Sequence, residues 1–100
     1  MAGYPAHENA AKILDNLREA VAKASGESKT RIESIIADLD PIKDNRTFMR
    51  TQKAERVTEE ILPASAGLIE NPADDGKLSE METQVAFLVE KVKTMVIRMT

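Results

Sequence analysis

LSEMETQVAFLVEKVKTMVIRM, residues 78–99, carries the most regular pattern in the chain: Leu78, Met81, Val85, Leu88, Val92, Met95 and Met99 recur at alternating steps of three and four. Such uninterrupted heptads specify a helix, because positions three and four apart fall on one helical face. A helix over 77–99 spans about 34 Å at 1.5 Å per residue. Beside the seam stand Glu82, Val89 and Val96 on one flank and Gln84, Lys91 and Arg98 on the other. The two valines make the apolar face broader than a free-standing two-stranded zipper uses, and a broad face suits a helix packed against two or three neighbours. Phe87 and Ile97 point away from the seam. Large apolar side chains there mark either a second contact surface or a helix enclosed by others, and a chain of 100 residues has few helices to enclose one. Self-association through this helix is the expectation.

Upstream, residues 63–77 read PASAGLIENPADDGK, with two prolines, two glycines and the turn-forming pairs Asn71-Pro72 and Asp75-Gly76. The spacing predicts a long loop over 63–77. Its apolar pair, Leu68-Ile69, either plugs the end of the core or meets a partner. Residues 42–62 form a third helix whose stripe of Ile42, Phe48, Met49, Ala54, Val57, Ile61 and Leu62 is interrupted by Arg50, Thr51, Gln52 and Lys53. Asp40-Pro41 serves as stop and start, since proline disfavours α geometry before itself but suits a first helical position. A second helix covers 29–39 with Ile32, Ile35, Ile36 and Leu39 inward, capped by Ser28 or by Thr30 in a capping box with Glu33. The first covers 6–25, where Leu14, Leu17, Val21 and Ala24, widened by Ile13 and Ala20, form the stripe. Ser25-Gly26 closes it, and the short connection makes these two helices antiparallel neighbours.

The expected fold is therefore all-α: one domain, residues 1–100, built as an antiparallel bundle of three or four helices with a long final helix bearing a heptad seam. Composition agrees. At 42% apolar and 31% charged the chain lies outside the disordered class, and its only aromatic residues are Tyr4, Phe48 and Phe87. It has no cysteine, which excludes disulfides, thiol nucleophiles and thiolate metal sites. The longest apolar run, Val85 to Val89, is far short of the roughly 20 residues of a membrane span. Met1 to Pro5 shows neither a secretory nor a myristoylation pattern, so a cytoplasmic protein is expected.

Catalytic and metal-binding constellations do not assemble. The only histidine, His7, sits at the start of the first helix, where a solvated side chain is expected; a di-iron bundle or a phosphotransfer helix needs histidines in mid-helix. Glu59-Glu60 and Asp74-Asp75 are adjacent pairs, and neighbouring helical residues diverge too far to share one proton or metal. Asp38, Asp40 and Asp44 lack the turn glycine and closing glutamate of a calcium loop. No catalytic, cofactor or metal residue is therefore assigned. One charge feature stands out in a chain of net charge -3: Arg46, Arg50 and Lys53, spaced four and three apart, line one face of the third helix. That row either pairs with neighbouring acidic residues or meets an anion such as nucleic acid. The leading expectation is a non-enzymatic adaptor, chaperone or small regulator. It would contact an unidentified protein partner or its own copy through Leu78, Met81, Val85, Phe87, Leu88, Val92, Met95 and Met99, with Leu68 and Ile69. A nucleic-acid-binding regulator using Arg46, Arg50 and Lys53 is the alternative.

Overall fold

The computed structural model describes the backbone of residues 5–99 and side chains as far as residue 95. Five helices are present among the described residues, with no strand: α1 (Pro5–Lys23), α2 (Gly26–Lys43), α3 (Arg46–Met49), α4 (Gln52–Glu70) and α5 (Asp75–Met99). The fold is all-α. In α1 the alanines and the Ile13, Leu14, Leu17 stripe turn inward, burying Ala6, Ala10, Ile13, Leu14, Leu17 and Ala20. Gly26 begins α2 at φ 60°, a left-handed conformation open to glycine without a Cβ clash. The Thr30–Glu33 capping box does not form: Ser25 occupies the cap position without a side-chain bond, and the Thr30 hydroxyl donates instead to the Gly26 carbonyl at 3.4 Å.

Three expected boundaries are corrected. The second helix does not end at residue 39 but runs through Pro41 to Lys43, because burying Ile42 beside Ile32, Ile35 and Leu39 draws it on. Pro41 is exposed, and so is Ala37, whose carbonyl loses the bond that Pro41 has no N–H to make. The single helix expected over 42–62 is broken at Thr51. Asn45 caps α3 by accepting from the Phe48 amide at 3.0 Å. The Thr51 hydroxyl then donates to the Phe48 carbonyl at 2.8 Å and accepts from the Ala54 amide at 3.2 Å. One side chain thus closes α3 and opens α4, each bond satisfying a backbone group that a helix end leaves orphaned. Finally, the loop expected over 63–77 is helical for most of its length. Pro63 faces solvent within α4, while Ala64, Ser65 and Leu68 beyond it are buried. Only residues 71–74 connect α4 to α5, with Asp74 accepting from the Lys77 amide at 3.1 Å to cap α5.

Each of α1 and α5 packs on both α2 and α4. Contacts between named residues give the directions. His7 meets Lys43, so α1 and α2 are antiparallel, as expected. Lys77 lies against Gly67 and Lys53 over Phe87, so α4 and α5 are antiparallel too. Beside α4, however, α1 runs parallel: Asn9 donates to Thr58 at 3.2 Å and, seven residues later on both helices, Asn16 donates to Ser65 at 3.0 Å. Similarly, Arg31 near the start of α2 reaches Asp75 and Glu82 near the start of α5. Two antiparallel hairpins are therefore laid side by side, and the α3 segment carries the chain from one to the other. Burying a leucine-sized side chain contributes about 1.5–3 kcal/mol, and Leu14, Leu17, Leu39, Ile61, Leu68 and Met81 are at most 1% exposed.

Candidate interaction surface

Along α5 the apolar side chains are not covered equally. Leu78, Met81, Val85 and Leu88 are 0–1% exposed, filling the chain's own core. Val89, Val92 and Met95 pack against that core but remain only half-buried. The reason is geometric. Phe87 already faces Lys53 in the first turn of α4, so α5 beyond this point has passed the beginning of its antiparallel neighbour. Met99, also expected in the contact, lies outside the residues with described side chains.

Phe87 is the one exposed large hydrophobic side chain among the described residues, at 38%. It follows Val85 by two positions and precedes Leu88 by one, which places it off the buried stripe on the α4 flank of α5. The Lys53 and Lys91 ammonium groups each lie 5.4 Å from its ring centroid, within reach of the negative face of the π system. An open groove of about 530 Å³ between α4 and α5 includes Phe87 with Lys53, Arg56, Glu60 and Gln84. The surface is thus aromatic and predominantly basic. A second open groove, of about 450 Å³, lies between α1 and α2 and is lined by Arg18, Val21, Glu33, Ile36 and Ala37. Its one cation is engaged: Arg18 is 3.8 Å from Asp15 and 3.4 Å from Asp40.

Arg46, Arg50 and Lys53 are all exposed, but the break at Thr51 removes the single helix face on which they were expected. Lys53 instead joins Phe87 and Lys91. Leu68 is fully buried and Ile69 half-buried in the last turn of α4, so that pair is not carried by a loop. The Ile69 carbonyl accepts from the Lys23 ammonium at 3.2 Å, pinning the end of α1 to the end of α4. His7, expected to be solvated, is half-buried, and its Nδ1 lies 3.0 Å from the Lys43 carbonyl. A carbonyl only accepts, so Nδ1 carries the proton and the imidazole ties the start of α1 to the end of α2.

An ionic cluster lies at the start of α2 and α5. Arg31 donates to both Glu82 oxygens, at 3.0 and 2.6 Å, and to Asp75 at 2.7 Å. These bonds hold the Glu82 carboxyl below its ordinary range and raise the Arg31 guanidinium still further. Asp74 is likewise held low because its carboxylate accepts from Lys77, first from the amide and then from the ammonium. All are paired groups near the α5 start. Among the described residues no three His, Asp or Glu side chains converge as metal ligands, and no helix is long and apolar enough to cross a membrane.

Phe87 stands off the seam in the sequence itself, but its partner on α4 shows only once α4 reaches residue 70 and a four-residue connection follows, which brings the start of α4 beside the 87–92 stretch of α5. Comparisons with protein-family models, with curated proteins and with solved structures find no match.

Proposed function

We propose that this chain is a non-enzymatic helical interaction protein, an adaptor, chaperone or small regulator, that works in the cytoplasm and self-associates through helix-to-helix contact. The observation that carries the reading is the loss of cover along α5, from Leu78 through Leu88 fully buried to Val92 and Met95 half-buried, with Phe87 exposed beside them. In this reading the helices form a bundle, and the heptad seam of α5 is spent inward as far as Leu88 and open beyond it. Methionine suits such a boundary because its flexible, polarisable side chain adapts to more than one neighbour.

Solution mass by light scattering, at low and high salt, tests the proposal directly. A dimer or larger species is expected, and a monomer at every concentration would remove self-association. Met95→Asp should give a still helical protein of lower mass, because a buried charge at a contact between chains costs association rather than folding. Val92→Asp separates the alternatives one turn earlier: a helical monomer supports the contact, whereas general unfolding assigns Val92 to the intramolecular core.

A second reading, binding of nucleic acid through Arg46, Arg50 and Lys53, is favoured by one observation: Lys53 stands beside an exposed aromatic ring, and stacking plus cations is how single strands are held without sequence preference. It predicts affinity that falls steeply with salt and disappears when the three residues are replaced by Glu.

A further inference from the structure

Phe87 is 38% exposed on the α4–α5 side of the molecule, at the wall of its groove, and a shallow apolar groove lies open on the α1–α2 side. Because α1 and α5 each pack on α2 and α4, these are opposite faces of the same chain. The knob is an aromatic ring, partly exposed, flanked by Lys53, Lys91 and Arg56 with Glu60 in the same groove. The groove offers Val21, Ile36 and Ala37 as apolar lining, with Glu33 at its edge and Asp15 and Asp40 around Arg18. Charge thus matches in pairs: three cations and one carboxylate surround the ring, while three carboxylates outnumber the one guanidinium around the groove, whose open apolar floor can take the exposed edge of a phenyl ring.

Deepening the self-association proposed above, and resting on it, we infer that Phe87 of one copy seats in the Val21–Ile36–Ala37 groove of the next, giving a head-to-tail contact between copies of this chain. A knob and groove on opposite faces cannot satisfy each other across a two-fold axis. Each copy that binds offers a fresh Phe87 on one side and a fresh groove on the other, so the contact propagates into an open chain or closes into a ring. The ionic rim orients the approach and weakens it as salt rises, because rim charges are screened over about 10 Å at 0.1 M.

Two substitutions at exposed positions test this without touching the core: Phe87→Ser removes the knob, and Ala37→Arg fills the groove and sets a positive charge against Lys53 and Lys91. With folding checked by circular dichroism, each variant alone should lose the assembly seen for the unaltered chain by light scattering. Mixed one to one, they should recover a species of two protomers and no larger, because the Ala37→Arg copy keeps a working Phe87 and the Phe87→Ser copy a working groove. Assembly that survives Phe87→Ser, or that is abolished by Phe87→Ser but not by Ala37→Arg, would overturn the head-to-tail contact while leaving self-association standing. An unaltered chain that is monomeric at all concentrations would overturn both.

Discussion

Two parallel helix pairs hold the hairpins together, and they do so by opposite means. Between α1 and α4 the contacts are small and neutral: Ala6, Ala10 and Ala20 are buried on one helix, Ala54 and Ala64 on the other, and Asn9–Thr58 and Asn16–Ser65 repeat at seven-residue spacing. Thr58 and Ser65 are fully buried yet satisfied, since each hydroxyl also donates to its own helix, to Ala54 and Leu62 respectively, at 2.7 Å. Between α2 and α5 the tie is ionic and lies at the rim, where Arg31 gathers Glu82 and Asp75. A half-buried bond between helices favours one register, because a slip parts its donor from its acceptor. A rim ion pair tolerates slip, since water replaces either partner at little cost. The inner seam, between α1 and α4, therefore favours one alignment of the hairpins, and at the outer one the Arg31 cluster adds a screened attraction beside the apolar packing of α2 on α5.

The most damaging way to break the inner seam is Ser65→Leu, which forces bulk into a fully buried position between α1 and α4 and removes the acceptor of the Asn16 amide. A loss of about 3 kcal/mol or more in urea unfolding is expected. Asn16→Ala is gentler: it deletes the donor but leaves the Ser65 hydroxyl bonded to Leu62, and should cost about 1 kcal/mol, equally at low and high salt. The smallest effect belongs to the rim. Arg31→Gln should lower the melting temperature slightly at low salt and not at all at high salt, a contrast the Asn16 variant must not show.

Acid sharpens the same contrast. Glu82 is held below its ordinary range by Arg31, so its stabilising contribution is present above the unfolded value of about 4.3 and is lost as pH falls through the depressed folded value. The unaltered protein should lose stability as pH drops below about 4, and Arg31→Gln should flatten that part of the profile. A neutral seam has nothing to titrate there. Equal acid sensitivity in the two proteins would show that the α2–α5 tie contributes no measurable stability.

Much of the helical class was legible before any coordinates, because the Leu14–Leu17–Val21 and Leu78–Met81–Val85 spacings admit no strand reading. The errors cluster at prolines. Pro41 and Pro63 each read as a boundary, and each lies inside a helix with its ring exposed and a buried residue beyond it, Ile42 or Leu68. Local propensity signalled a stop; burial of the next apolar turn outweighed it. The opposite error occurred at Thr51, where an apolar stripe concealed two helix caps. The paired Asn and hydroxyl positions of the inner seam carry no signal within one helix, and their meaning appears only when α1 is laid beside α4. Phe87 was legible as a large apolar side chain off the seam, but the cation it shares with another helix, Lys53, was not.

Asn9–Thr58 and Asn16–Ser65 join residues 49 apart in the chain, and Arg31–Glu82 joins residues 51 apart. The hairpin contacts within 5–43 and 52–99 close over shorter loops, and loop closure costs entropy that grows with length. The order of events follows: each hairpin can form early, and the inner seam is made when the two dock. Loss of the Asn16 bond should therefore appear mainly as faster unfolding, with the refolding rate nearly unchanged. The side-chain amides between α1 and α4 then lengthen the molecule's lifetime in the folded state without changing the speed of reaching it, which depends on the turns.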